Sequence, residues 1–217
     1  MVFSMQALAQ VKIWGLPRTC TNAVERALLD NFAANVLTNK PDFKHGPKTY
    51  EGDGGHKHIV CVRHPIQWLF GFWRWEQHYY NGTIPFHQFP FIPCKTYPEE
   101  TPCAAFNRLI GHWLTMLDDP GIVQVVRQED MATQQLSVLK RLQAAFDLTP
   151  LGTLSPVRDR VAPYAKLTPN AYVLEKMTFP PQLEGHLLMT FNPWLVAASG
   201  YGTFASHILK AQREAIA

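Results

Sequence analysis

Val11-Lys12-Ile13-Trp14-Gly15-Leu16-Pro17-Arg18-Thr19-Cys20-Thr21-Asn22 is the segment that decides the fold of this chain. Its first four residues predict a short buried strand, which the following Gly-Leu-Pro ends because glycine and proline interrupt regular structure. From Ala23 to about residue 33 the apolar residues recur at helical spacing, which predicts a helix with one buried face. The sequence therefore predicts a strand, a tight loop and a helix in succession.

The predicted loop is rich in groups that bind anions. It carries the guanidinium of Arg18, the hydroxyls of Thr19 and Thr21 and the amide of Asn22, at or just before the helix start. A helix N-terminus presents free N–H groups and partial positive charge, which suits a phosphate or a sulfate. The sequence therefore predicts an anion site here, and an ordinary turn capped by threonine or asparagine is the simpler alternative.

The loop resembles that of a known enzyme family. The nucleotide-triphosphate loop G-x-x-x-x-G-K-S/T does not fit, because there is no second glycine and no lysine before a hydroxyl. Residues 15–22 instead resemble the 5′-phosphosulfate loop of sulfotransferases that use 3′-phosphoadenosine-5′-phosphosulfate (PAPS), many of which read G-x-P-R/K-S/T-G-T-T/N. The resemblance implies that Arg18 binds the 5′-phosphosulfate and stabilises the leaving oxygen. The residues that it implies as a cradle for the same group are Thr19, Cys20, Thr21 and Asn22, with Cys20 in place of the usual glycine.

A second resemblance follows the clearest predicted strand, residues 58–63, whose continuous apolar centre suits a parallel strand buried on both faces. Sulfotransferases carry a 3′-phosphate-binding segment at a strand end, often R-x-P-x-x-W-x-x-S-x-x-x-Y. Here Arg63, Pro65 and Trp68 match, and Gly71 stands where serine is expected. The resemblance implies that Arg63 binds the 3′-phosphate and that Gly71 faces it. Since a serine hydroxyl would donate a hydrogen bond there, we expect Gly71→Ser to tighten nucleotide binding.

Two further segments match the family more loosely. The predicted strand 122–127 leads into Glu129 and Asp130, similar to a sulfotransferase strand that ends in Y/R-x-E-D-L/M. We expect these two carboxylates to hold loops in place rather than react, with Asp130 capping the next helix. Related enzymes also close a basic loop over the nucleotide, often with Arg-Lys-Gly. The chain lacks that tripeptide, and Arg158 and Arg160 are its candidates for this role.

Residues 39–55 form a polar segment after a second predicted strand at 35–38. Sites in open α/β sheets form at the carboxyl ends of strands, so this segment is predicted to lie beside the anion loop; a solvated surface loop is the simpler alternative. It carries Lys44 and His45, which resemble a Lys and a His close together in the cytosolic branch of the family. The resemblance implies His45 as general base and Lys44 as charge stabiliser, since imidazole accepts a proton near neutral pH. Other branches use glutamate, which makes Glu51 the alternative base.

Composition sets the bounds on domain organisation and partners. With 217 residues, 47% of them hydrophobic, the chain can bury one sizeable core. We therefore predict a single domain over 1–217, with an α/β core at 11–147 and a helical C-terminal part at 148–217. A net charge of +3 is too small for a general nucleic-acid binder. No apolar run approaches the ~18 residues of a membrane span, and the first ten residues do not resemble a secretory signal.

The cysteines and histidines predict neither a metal site nor an oxidising compartment. The four cysteines lack the spacing of metal ligands, and the histidine pairs come without matching carboxylates or thiols. Cys94 and Cys103 are close enough in sequence to bridge, but reduced thiols are the default inside cells. We therefore expect a cytoplasmic protein.

These expectations combine into one prediction. The alternation of strands and helices predicts a three-layer α/β domain with a mainly parallel sheet of four to five strands flanked by helices. The resemblance implies a P-loop-like sulfotransferase fold. The implied reaction transfers a sulfuryl group from PAPS to a hydroxyl or amine of a small-molecule or glycan acceptor, leaving adenosine 3′,5′-bisphosphate. The alternatives are a non-catalytic nucleotide-binding protein on the same scaffold, which Cys20 and Gly71 favour, and a nucleotide kinase-like phosphotransferase, which the missing loop lysine disfavours.

Overall fold

The computed structural model describes residues 8–80, 84–116, 119, 121–157 and 181–216. Four strands form one all-parallel sheet in the order β2-β1-β3-β4. The strands are β1 (Ala9–Gly15), β2 (Ala34–Leu37), β3 (Lys57–Val62) and β4 (Val123–Arg127). The predicted α/β class, the parallel sheet and the four predicted strands are therefore confirmed, while the sulfotransferase fold itself stays a prediction.

Eight α-helices are present in the described part of the chain. They are α1 (Thr21–Asn31), α2 (Pro65–Glu76), α3 (Pro102–Trp113), α4 (Gln128–Thr133), α5 (Gln135–Phe146), α6 (Pro181–Thr190), α7 (Pro193–Ala198) and α8 (Gly202–Glu214). A capping residue followed by proline predicts a helix start. This prediction is confirmed at Asn192-Pro193, where the Asn192 side chain accepts hydrogen bonds from the backbone N–H groups of Trp194 and Leu195. The same pattern at Thr168-Pro169 predicts another helix start, which lies outside the described residues.

The helices lie on both faces of the sheet, as predicted. Along β1, Val11 and Ile13 point to one face and pack with residues of α1 and α5. Trp14 points to the other face and packs with α2 and α3. Because successive side chains of a strand alternate between faces, one apolar strand supplies both cores. The result is the three-layer arrangement of helices, sheet and helices.

The C-terminal helices share the larger of the two cores. Buried residues of α6, α7 and α8 pack in the same cluster as Trp14, Trp68 and Trp113; they are Leu183, Leu187, Val196, Ala205 and Ile208. The helical C-terminal part therefore packs onto the α/β core. None of the helices described in the structure combines the length and the apolar character needed to cross a membrane.

Candidate functional site

The loop between β1 and α1 is folded tightly onto itself. A Cβ atom at Gly15 would lie 2.5 Å from the Thr19 hydroxyl oxygen and 2.8 Å from the Cys61 carbonyl oxygen, so only glycine fits there. The Thr19 hydroxyl donates a hydrogen bond to the Leu16 carbonyl over 2.7 Å. Arg18 has a φ of 71°, in the left-handed region that non-glycine residues rarely adopt, and its side chain is exposed. The loop therefore presents Arg18 outward from a closed turn.

The predicted ligands in this loop divide into outward and inward groups. Arg18 and Asn22 are exposed, whereas Thr19 and Thr21 are buried. Because the Thr19 hydroxyl is already bonded to Leu16, its side chain shapes the loop in this structure. The positions of Arg18 and Asn22 suit direct contact with a ligand, and direct ligation by Thr19 and Thr21 stays a prediction.

Cys20 connects the loop to its neighbours. Its backbone N–H donates to Gln128 Oε1 over 3.4 Å, and its thiol is hydrogen-bonded to that of Cys61. The hydrogen bond between the two thiols and burial raise the pKa of Cys20 well above its ordinary value, so the thiol stays neutral. At position 20 the loop thus carries an uncharged, inward-facing side chain.

The segment that carries Lys44 and His45 lies directly against this loop, as predicted from the sheet topology. The Gly15 N–H donates to the Lys44 carbonyl over 3.0 Å, and His45 Nδ1 is hydrogen-bonded to the Gly15 carbonyl. The Lys44 ammonium donates to Asn22 Oδ1 over 2.5 Å. The two predicted site segments therefore meet at the carboxyl end of β1.

The contacts of His45 define its protonation state. A carbonyl only accepts hydrogen bonds, so Nδ1 carries the proton toward Gly15 and Nε2 keeps its lone pair. Burial lowers the pKa of His45 to about 4, which leaves the ring neutral at neutral pH. The Tyr97 hydroxyl donates to the His45 carbonyl over 3.0 Å, and the Trp113 indole donates to that of Gly46 over 3.1 Å. His45 is thus a positioned, neutral imidazole, while Glu51 is exposed in the same segment.

The second predicted anion-binding segment meets the loop at Gly71. A Cβ atom on Gly71 would lie 2.5 Å from Arg63 Nη1 and 3.8 Å from Arg18 Cβ. The Arg63 guanidinium therefore occupies the space that any side chain at position 71 would take. Trp68, one turn earlier in α2, donates from its indole to the Pro17 carbonyl over 3.0 Å and fixes the loop against this helix.

This arrangement changes our interpretation of Gly71. The expectation that Gly71→Ser tightens nucleotide binding assumed open space for a hydroxyl. A serine Cβ would instead displace Arg63 from its position. We therefore interpret the glycine as room for the Arg63 guanidinium, and we now expect the substitution to weaken binding.

Two carboxylates after β4 hold neighbouring segments in place. Glu129 accepts from the His64 backbone N–H over 3.1 Å and from the Tyr201 hydroxyl over 2.7 Å. Asp130 pairs with Arg127 through two hydrogen bonds of 2.8 Å. Both carboxylates thus hold neighbouring segments in place, as expected. The predicted cap by Asp130 is wrong, because Arg127 stands at the N-cap of α4 and no side chain caps this helix.

Sequence reasoning missed two residues of this region. Tyr201, at the start of α8, reaches Glu129 from 72 residues away, and nothing in the local pattern indicates that contact. Lys12 is fully buried. The sequence does carry an indication of this, because Lys12 is the one charged residue in the apolar run Val11-Lys12-Ile13-Trp14. The predicted basic-loop residues Arg158 and Arg160 lie outside the described residues.

The chemistry of the site is that of cations and an imidazole. Within the described ranges, no group of three or more histidines, cysteines, aspartates or glutamates has the arrangement of a metal site. The four cysteines are free thiols, and Cys94 and Cys103 are both buried.

Comparisons of the chain with protein-family models, with curated proteins and with solved structures found no match.

Proposed function

We propose that the protein is a PAPS-dependent sulfotransferase that transfers a sulfuryl group to a hydroxyl or amine of a small-molecule or glycan acceptor. One observation carries this proposal. Nη1 of Arg63, which follows β3, and Cβ of Arg18, which follows the neighbouring strand β1, both lie within 4 Å of the position that a Cβ on Gly71 would take. Ligands of open α/β sheets bind at the carboxyl ends of the strands, where both arginines lie.

Two arginines from separate strand ends suit a ligand with two anionic groups. Each guanidinium matches the geometry of a phosphate oxygen pair, and the first turn of α1 adds free N–H groups. In the proposed complex Arg18 binds the 5′-phosphosulfate and Arg63 binds the 3′-phosphate. The second contact separates PAPS from an ordinary adenylate.

The chain supplies the remaining chemistry through His45 and Lys44. In the proposed step the acceptor oxygen or nitrogen forms a bond to sulfur while the bond from sulfur to the phosphate oxygen breaks. Nε2 of His45 takes the acceptor proton, and Arg18 stabilises the phosphate oxygen that keeps the electron pair. Lys44, held at Asn22 Oδ1, adds positive charge beside the same group. As in phosphoryl transfer, positioning and charge stabilisation carry most of such catalysis.

One observation favours a non-catalytic nucleotide-binding protein as the second candidate. A pKa of about 4 makes His45 a weak base before a ligand binds. An anionic ligand nearby would raise that pKa, because negative charge favours the protonated imidazole. Catalysis therefore requires the pKa of His45 to rise when the ligand binds, whereas nucleotide binding does not.

Thermal unfolding with three nucleotides tests the proposed ligand. We expect adenosine 3′,5′-bisphosphate to raise the melting temperature more than ATP or AMP, since a ligand at a hundredfold excess over its Kd stabilises by about 2.7 kcal/mol. Arg18→Ala and Arg63→Ala should each remove most of this shift. The matched control is Arg26→Ala, an exposed arginine of α1 that pairs with Asp30. An equal or larger shift with ATP would contradict the proposal.

A transfer assay separates the enzyme from the binding protein. Radiolabelled PAPS is incubated with a panel of phenols, sugars and amines, and labelled sulfate on any acceptor supports the enzyme. Binding of the bisphosphate without transfer to any member of a broad panel would favour the non-catalytic candidate.

A further inference from the structure

Lys12 is a lysine buried inside the central sheet. Lys12 is 0% exposed to solvent, and its ammonium lies 4.5 Å from the centre of the Trp14 ring. Its strand neighbours Val11 and Ile13 face the opposite side of the sheet. A buried ammonium is costly unless it is paired and hydrogen-bonded. The position of Lys12 therefore requires partners, and the structure provides them in one place.

The partners are three backbone carbonyls of a single segment. Lys12 Nζ donates to the carbonyls of Thr38 over 3.3 Å, of Lys40 over 3.2 Å and of Asp42. An ammonium has three N–H donors, so these contacts use all of them. Residues 38–42 run from the end of β2 to the turn that carries the candidate base. In that turn the Gly46 N–H donates to the Phe43 carbonyl over 2.9 Å.

We propose that Lys12 is a positioning residue for His45: its ammonium fixes residues 38–42, and this segment sets His45 on the Gly15 carbonyl. The proposed link runs through the backbone of residues 38–45. The inference rests on the proposed function for the assignment of His45 as the base. The positional link between Lys12 and His45 is independent of that function.

The link depends on the charge of Lys12. A neutral amine has two N–H donors and no charge, so it holds three carbonyls less well. Burial lowers the pKa of Lys12 to about 8; the Asp42 carboxylate opposes this shift and the Lys44 ammonium adds to it. Across the sheet, Lys12 pairs in register with apolar Leu37 on β2 and with His58 on β3, whose pKa burial also lowers.

The geometry therefore predicts a change at His45 at a pH where His45 itself does not titrate. As the pH rises through about 8, Lys12 loses its proton and the segment loses its charged anchor. The ring of His45, with a pKa of about 4, is neutral throughout that range. A transition of the His45 ring near pH 8 would then report on Lys12.

NMR of the intact protein tests this link without an assay of activity. Histidine and lysine side chains are isotopically labelled, and the His45 ring signal is identified by its loss in His45→Gln. Over roughly pH 6 to 10, we expect the His45 signal to shift with the same midpoint as the Lys12 ammonium, about 8. In Lys12→Met the His45 signal should stay at its high-pH position at every pH.

The matched control is Lys57→Met, since Lys57 on the neighbouring strand donates to one carbonyl, that of Gly121, over 2.7 Å. This variant should keep the His45 transition. A constant His45 signal in the native protein, or a transition that persists in Lys12→Met, would overturn the inference. If Lys12→Met does not fold, the two native titrations decide, because different midpoints for Lys12 and His45 also overturn it. A chain that binds no bisphosphate but shows the coupled titration would refute the proposed function alone.

Discussion

The ammonium of Lys44 donates a hydrogen bond to Asn22 Oδ1 over 2.5 Å. Lys44 lies beyond β2 and Asn22 lies in the first turn of α1, so this bond joins the two segments of the candidate site. The Lys44 side chain is only 13% exposed, and Glu25 Oε2 lies 3.8 Å from the same ammonium. These contacts place a positive charge at the helix N-terminus, where an anion is favoured.

A double-mutant cycle tests the bond between Asn22 and Lys44. Asn22→Ala and Lys44→Met should be non-additive in the free energy of unfolding by about 0.5 kcal/mol or more, since residues in direct contact couple. Urea unfolding of the two single variants and the double variant measures this coupling. Lys48 is the control, because its ammonium donates to the Tyr50 carbonyl instead. Asn22→Ala with Lys48→Met should therefore be additive, and additivity of the first pair would contradict the prediction.

The second prediction concerns the general base. His45→Ala should lower turnover by roughly 10²–10⁴, the usual range for loss of acid–base assistance, while bisphosphate affinity is nearly kept. Steady-state transfer assays with the best acceptor of the panel, together with calorimetry of the bisphosphate, measure both quantities. Glu51→Gln is the control and should keep near-normal turnover. The reverse result, with Glu51→Gln inactive and His45→Ala active, would move the base to Glu51.

The third prediction follows from the contact between Gly71 and Arg63. Gly71→Ala and Gly71→Ser should both weaken bisphosphate binding several-fold. Either new Cβ would lie 2.5 Å from Arg63 Nη1, so the guanidinium must move away from its position. Stability should change little, since a helix gains about 1 kcal/mol from glycine to alanine, which offsets the displacement. Calorimetry measures the affinity. Gly185→Ala in α6, where a Cβ meets nothing within 4 Å, should leave binding unchanged. Tighter binding by Gly71→Ser would restore the original interpretation.

The fourth prediction concerns the support of the Arg63 segment by α8. Tyr201→Phe removes the hydroxyl that donates to Glu129, which leaves a carboxylate oxygen without this donor. The expected loss of stability is about 1–3 kcal/mol, measured by urea unfolding. Bisphosphate affinity should fall as well, because Glu129 also holds the His64 backbone. Tyr79→Phe, at a tyrosine that is 55% exposed, is the matched control. Equal stability of the two variants would contradict the role of Tyr201.

The fifth prediction is acid sensitivity. Burial lowers the pKa of both His45 and His64 from 6.5 to about 4 in the folded state. Between these values the unfolded chain binds more protons, so stability falls as the pH drops from 6.5 toward 4, by up to about 3 kcal/mol for each histidine. Urea unfolding at a series of pH values measures this slope. His64→Phe, in a site between the rings of Tyr201 and Phe204, should reduce it. His207→Gln, at an exposed histidine, should leave the slope unchanged. An unchanged slope in both variants would contradict the assignment of the acid sensitivity to His64.

The sequence by itself determined the local elements and their order. The apolar run at residues 11–14 and the helical spacing after Ala23 predict β1 and α1, because burial of one face or both faces sets a period that the sequence displays. Parallel strands joined by helices bring their carboxyl ends to one edge. That rule predicted that the segment with Lys44 lies beside the loop with Arg18, while the placement of Arg63 in the same site was implied by the resemblance.

Only the tertiary structure decided how those residues contact one another. Arg63 Nη1 fills the space beside Gly71, and α2 packs against the loop through Trp68. No local pattern encodes either contact. The hydrogen bond from Tyr201 to Glu129 spans 72 residues. The three carbonyls that accept from Lys12 come within reach of its ammonium when β2 pairs with β1. Local periodicity reports which face of an element is buried, whereas side-chain partners depend on the packing of elements that are distant in sequence.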